Sequence, residues 1–265
     1  MRLLTFLSDF GLDSPYPAAM KAVASAICDA RFLDISHGVP RHAIRTGAYL
    51  LWSVVPVCPA GTVHCAVVDP AVGTLRAPLA VAAGGQIFVG PDNGLLLPAA
   101  RRLGAPEVYR LTNPAYWHHP VSATFHGRDI FAPTAAHLAA GTAVDVMGER
   151  APEYVDLTID EGGWDGSTLH GRVLWVDPFG NLVTTIPGNL LAGLAEGRHA
   201  VVEVGSKALR AEVGRTFGDV APGGAVIVKG SDGLVEIALN RGRAADVLAA
   251  APDDPVRVRA SDIGS

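Results

Sequence analysis

The sequence predicts an α/β protein in two parts: an N-terminal, mostly parallel α/β sandwich domain and a smaller C-terminal β-barrel domain. Three observations predict it. Short apolar runs alternate with Ala-rich helical stretches up to about residue 150, the pattern of parallel strands covered on both faces. From residue 168 the chain changes to short strand candidates separated by Gly and Pro turns, the spacing of a small barrel or sandwich. Between the two, "RAPEYVDLTIDEGGWDGST" (150–168) is acidic and weakly periodic, as an interdomain linker is. The domains are placed at 1–155 and 168–265, with a linker at about 156–167. The crevice between them is the expected ligand site.

Each element has its own signal. "LLTFLS" (3–8) and "RFLDIS" (31–36) are compact strands. "AAMKAVASAICDA" (18–30) is helical, with Pro15 and Pro17 before it. "HAIRTGAYLLWSVV" (42–55) is a second helix, stopped by Pro56. Strands follow at 62–68, 78–83 and 86–90, then helices at 93–104 and 129–141, the last closed by Gly141. In the second part, strands are expected at 168–176, 182–186, 200–204, 208–213, 225–229, 234–239 and 255–259, with a short helix near 242–250.

Composition narrows the function. The 265 residues are 49% hydrophobic and 18% charged, with a formal net charge of −5, which marks a globular chain. No Lys/Arg run exceeds two residues, so a nucleic-acid surface is not expected. No apolar stretch is long enough for a membrane span or a signal segment, and the expected location is the cytoplasm. Three cysteines, none in a CxxC pair, exclude a disulfide framework. There are nine histidines, yet no HExxH and no Cys/His zinc spacing, so no metal is expected. GxGxxG after the first strand, Walker A and GxSxG are also absent.

In open α/β sheets, ligands bind beyond the carboxyl ends of the strands. The polar residues there are Asp9-Phe10-Gly11, His37-Gly38, Asp69-Pro70 and Asp92-Asn93-Gly94. In "VVDPAVGTLR" (67–76), a core strand ends in Asp69 and is answered by Arg76. Either Asp69 caps a turn and Arg76 is a solvated charge, or the two form a fixed ion pair at the mouth of a site. "TFHGRDIF" (124–131) sets Phe125 and His126 beside Gly127, where a ligand has room to approach, and Asp129 at a helix start. "VDPFGN" (176–181) offers a carboxylate for an ammonium, an aromatic face for a base and an amide for a purine edge. It reads equally well as a strand-to-strand turn.

"SDFG", "DPAVGTLR", "TFHGRDIF", "DPFGN" and "GSDGLVEIALNRG" occur in this order across nearly the whole chain. In this the sequence resembles the S-adenosyl-L-methionine (SAM) hydroxide adenosyltransferases, or SAM hydrolases, relatives of the SAM-dependent fluorinase and chlorinase. The resemblance implies the same two-domain fold. It also implies a homotrimer whose active sites lie where one chain's N-terminal domain meets a neighbour's C-terminal domain. The implied reaction is hydrolysis of SAM to adenosine and methionine, with SAM as substrate and no cofactor.

By resemblance, Asp69, Arg76 and His126 surround the attacking water, and Phe125 is their aromatic neighbour. Asp9 grips the ribose hydroxyls. Asp177 and Ser231 hold the methionine ammonium and carboxylate. Phe179 and Phe217 pack on adenine, Asn181 reads it, and Arg241 adds backbone contacts. The halogenases carry a Tyr in place of both Asp69 and His126, and the fluorinase has Trp for Arg41, Ser for Gly127 and Arg for Asp232. Ala71 stands where relatives often have Gly. The acid and the histidine favour water over a halide as nucleophile. A SAM-dependent halogenase and a non-catalytic SAM- or adenosine-binding protein are the alternatives.

Overall fold

The structure, a computed structural model, describes residues 2–194 and 197–261. The last four residues of the expected C-terminal domain lie outside them. Contacts divide the chain into one unit that ends at Leu157 and another that begins at Thr158.

In the N-terminal unit, β1 (Leu3–Ser8), β2 (Arg31–Ser36), β3 (Val63–Val67), β4 (Pro78–Ala83), β5 (Gln86–Pro91) and β6 (Glu107–Arg110) form one sheet. Its order is β2-β1-β3-β5-β4-β6. β4 runs antiparallel to both of its neighbours, and the β2-β1-β3-β5 pairings are parallel. The sequence reading has no element at β6, which is four residues long with a charge at each end.

The helices are α1 (Tyr16–Ser25), α2 (Ile44–Val54), α3 (Leu97–Leu103) and α4 (Ala132–Ala140). α1 starts earlier than expected, because Pro17 fits the first helical turn. Met20 and Ala24 of α1 and Ala135 of α4 pack on the sheet face that carries Leu4, Phe6 and Cys65. All five residues of β3 are buried, as a strand covered on both faces requires.

The opposite face holds a buried polar chain. Thr5 Oγ1 meets His64 Nδ1 at 2.8 Å, and His64 Nε2 meets Gln86 Oε1 at 2.7 Å. Gln86 Nε2 donates to the carbonyls of Val55 and Cys58, which follow α2. His64 also stacks on Phe88, centroid to centroid 4.8 Å.

The C-terminal unit is a closed seven-strand barrel. Its strands are β8 (Thr168–Val176), β9 (Leu182–Pro187), β10 (His199–Val204), β11 (Lys207–Val213), β12 (Ala225–Lys229), β13 (Leu234–Leu239) and β14 (Pro255–Ala260). Pairing of β14 with β8 completes the ring. Alternate residues such as Ala200, Val202 and Val204 fill its core. β7 (Gly163–Asp165) pairs with β8 from the stretch expected as linker, where a three-residue strand leaves no periodicity to read. The only α-helix here among the described residues is α5 (Ala244–Leu248). No described helix is long and apolar enough to cross a membrane.

Burial holds the His64 ring well below its ordinary value, at about 4, against the opposing pull of Gln86. The unfolded chain therefore binds a proton there that the folded chain rejects. Stability from this group is complete above the unfolded value near 6.5 and is lost as pH falls toward about 4. The expected loss is roughly 3 kcal/mol. Urea unfolding between about pH 7 and about pH 4 should show a steeper decline for the wild type than for His64→Gln. Equal slopes would contradict it.

Candidate active site

The sheet topology carries the candidate residues to one rim. β1 runs into Asp9, β2 into His37 and β3 toward Asp69, all at the carboxyl ends of parallel strands. β4 starts at the same rim because it runs the other way, so Arg76, two residues before it, stays beside Asp69.

Arg76 grips Asp69 with two nitrogens. Nε lies 3.0 and 2.9 Å from the two carboxylate oxygens, and Nη2 lies 2.5 Å from Oδ2. Both side chains are more than nine-tenths buried. The same Nη2 donates to His126 Nδ1 at 2.9 Å, and the guanidinium sits 5.0 Å from the centre of the Phe131 ring. Of the two readings of the Asp69–Arg76 stretch, the fixed ion pair is the one observed. A donor on Nδ1 places the proton of the neutral imidazole on Nε2. Burial, and then Arg76, push the His126 ring below its ordinary range, outweighing Asp69 and Asp129.

Two loops must nearly touch to build this. Gly73, at φ +78°, lies so close to Ala123 that a Cβ there would sit 2.4 Å from its carbonyl oxygen. Only glycine meets both demands. The other loop is held by Asp129, fully buried on the single π-turn (Gly127–Phe131) that precedes α4. Pro133 has no N–H to offer the Asp129 carbonyl, which accepts from the His118 N–H instead, at 2.8 Å. The Asp129 carboxylate accepts from Ser122 N and from Arg128. Burial opposes its charge, but these donors outweigh burial and hold the carboxyl below its usual range.

Asp69 and His126 line a cavity of about 380 Å³ with Phe125, Phe10, Tyr16 and Arg128. Phe10, Tyr16 and Phe125 meet edge to face, 5.1 to 6.0 Å between centroids. Arg76 stands behind this wall rather than in it. Gly127 also lines this cavity, and a Cβ there would lie 3.3 to 3.5 Å from Met20, Phe125 and Phe10, so its bareness eases the packing of the wall as well. Asp9 stands at the rim, its Oδ2 accepting from His42 N at 2.9 Å. Asp92 and Asn93 take structural partners instead, Val155 N and the Val68 carbonyl. Among the described residues, no cluster of His, Cys, Asp and Glu is arranged to hold a metal.

The barrel presents a second group. Phe179, Asn181, Phe217 and Arg241 line a groove of about 440 Å³. Phe179 is 76% exposed and Phe217 43%, unusual for rings of this size. Asp177 sits behind Asn181, its oxygens accepting from Asn181 N and Nδ2, both at 2.8 Å. Ser231 is exposed in the Gly230–Gly233 turn and does not line the groove.

Sequence reasoning did not single out Tyr16, on the cavity wall, or Glu236, in the barrel. Burial first, then Asp177 and Asp232, raise the Glu236 carboxyl. Its one signal was a lone acid in the apolar run "LVEIAL".

Two family models match: the SAM hydroxide adenosyltransferase N-terminal domain over residues 4–148 and the C-terminal domain over residues 171–257. The chain belongs to the SAM hydroxide adenosyltransferase family. A protein named (R)-S-adenosyl-L-methionine hydrolase from Salinispora arenicola is 42% identical over 97% of both chains. A crystal structure of an uncharacterized conserved protein from Thermotoga maritima superposes with a TM-score of 0.91 at 36% identity, covering 97% of this chain and 99% of that one. A fluorinase from Nocardia brasiliensis is 25% identical over 90% of each. In this adenosyltransferase the charged set lies in the N-terminal unit and the exposed aromatic groove in the C-terminal unit.

Removing the cation while keeping Asp69 should raise the His126 pKa. An NMR titration of the imidazole in wild type and Arg76→Met tests this. An unchanged or lower value in the variant would contradict the role given to Arg76.

Proposed function

We propose that this adenosyltransferase hydrolyses SAM, with an oxygen from water attacking ribose C5′ and neutral methionine leaving. The observation that carries the reading is the hydrogen-bonded Asp69–Arg76–His126 cluster, with Asp69 and His126 on the cavity wall. The family and its hydrolase-named relatives support it.

The sulfonium leaves without a proton, so the chemistry needs no general acid. It needs an oriented, deprotonated water, since bulk water has a pKa of about 15.7. Arg76 stays protonated and cannot be the base. His126 offers Nε2–H to the pocket because its Nδ1 lone pair already accepts from Arg76. Asp69 is then the proton acceptor, Nε2–H of His126 holds the oxygen, and Arg76 positions both. As the oxygen gains negative charge it approaches the carbon attached to the cationic sulfur, and where the bound substrate displaces water the opposite charges attract more strongly than in water.

Asp9 takes the ribose hydroxyls. Phe179 and Phe217 stack on adenine while Asn181 pairs with its edge, as exposed rings and a part-engaged amide permit. Asp177 receives the methionine ammonium and Ser231 the carboxylate. The active unit is a homotrimer in which one chain's N-terminal unit and a neighbour's C-terminal unit share the substrate. The protein works in the cytoplasm, without cofactor.

Asp69→Asn should lower turnover by at least ~100-fold, the scale of a lost acid–base group, with SAM affinity largely kept. The wild type should release adenosine and methionine at the same rate with or without chloride. Near-normal turnover in the variant would remove Asp69 from the mechanism. A 5′-chloro nucleoside would identify a halogenase, and bound but uncleaved SAM a binding protein.

A further inference from the structure

Beneath Asp9 lies a hydrogen-bonded chain that the reaction does not use. Ser8 Oγ meets His37 Nδ1 at 2.7 Å, and His37 Nε2 meets Asp34 Oδ1 at 3.1 Å. Lys21 Nζ donates to the other Asp34 oxygen at 2.5 Å. Phe10 N donates to Ser8 Oγ at 3.3 Å. Ser8 and His37 are buried, whereas Asp34 is on the surface of edge strand β2.

Every donor in this chain is determined. An ionised carboxylate only accepts, so His37 Nε2 carries the proton. The Nδ1 lone pair then accepts from the Ser8 hydroxyl, whose oxygen accepts from Phe10 N–H. The residues on either side of Asp9 are thus fixed by one imidazole. Two more contacts come from the same β2–α2 loop. The His37 carbonyl accepts from Gly11 N at 2.8 Å, and His42 N donates to Asp9 Oδ2 at 2.9 Å. His42 holds φ at +64°, a left-handed conformation that costs a residue with a Cβ on the order of 1 kcal/mol or more. A buried imidazole and a strained backbone would both be poor choices for filling space alone.

We propose that the β2–α2 loop is a template that sets the direction of the Asp9 carboxylate, with His37 as its positioning residue. His42 holds Oδ2, and Oδ1 has no protein partner among the described residues. Oδ1 and the remaining lone pair of Oδ2 are left to accept from two neighbouring hydroxyls of a ribose. The inference rests on the reading of Asp9 as acceptor of the substrate's diol, and the ligands of the test separate the two.

The full-length protein is titrated calorimetrically with adenosine and with 2′,3′-dideoxyadenosine, which lacks both hydroxyls. The wild type should prefer adenosine. Ser8→Ala should bind adenosine about tenfold more weakly, the scale of one charge-assisted hydrogen bond, and dideoxyadenosine as well as the wild type does. Ser8→Thr, which keeps the hydroxyl, should restore the preference. His37→Leu, which fills the volume without the acceptor, should behave as Ser8→Ala and serves if that variant does not fold. Unchanged adenosine affinity in either folded variant, or equal loss for both nucleosides, overturns the template. A wild type that binds both nucleosides alike overturns the reading of Asp9, and the template with it.

Discussion

One buried guanidinium organises the N-terminal site. Arg76 must satisfy a carboxylate and an imidazole at once, and its planar fork does so with Nε on Asp69 and Nη2 shared between Asp69 and His126. Each contact constrains the others. The ion pair gives a buried carboxylate its counter-charge, and the donation to Nδ1 selects one imidazole tautomer. Breaking a buried pair of this kind by removing one partner costs on the order of 3–5 kcal/mol. The arrangement therefore stands or falls as a unit, and a lysine, with one point charge, cannot reproduce it.

The fold exists in the form that this interaction needs. A fully parallel sheet would return each strand from the opposite edge and carry Arg76 away from the rim. The reversed β4 keeps residues 69–77 there. Gly73 then lets that loop lie against Ala123. The loop that brings His126 is anchored at its far side by Asp129, whose carbonyl and carboxylate both bind the 118–122 segment. A proline without an N–H and a glycine without a Cβ thus matter as much to the site as the three charged or titratable side chains.

Much of this could be read from the sequence because burial leaves strong patterns. β1, β3 and β5 are short, mostly apolar runs, and Asp9 and Asp69 stand just past β1 and β3. The motifs "DPFGN" and "TFHGRDIF" mark where polar residues gather. Other features leave no local pattern. β6 has charged ends, and β7 is too short to show a period. The reversed direction of β4 is a matter of tertiary pairing. That Gly127 also makes room for packing does not show locally, because its neighbours Met20 and Phe10 come from distant sequence. The His42 N–H meets Asp9 from distant sequence, and the burial that raises the Glu236 carboxyl is a matter of tertiary packing.

The claim at the centre is that a water oxygen, held by Asp69 and His126, becomes the 5′-hydroxyl of the product. Incubation of the protein with SAM in ¹⁸O-labelled water, followed by mass spectrometry of the nucleoside and of methionine, tests it directly. The account predicts one labelled oxygen in adenosine, at C5′, and none in methionine. Unlabelled adenosine, or 5′-methylthioadenosine in its place, would contradict it.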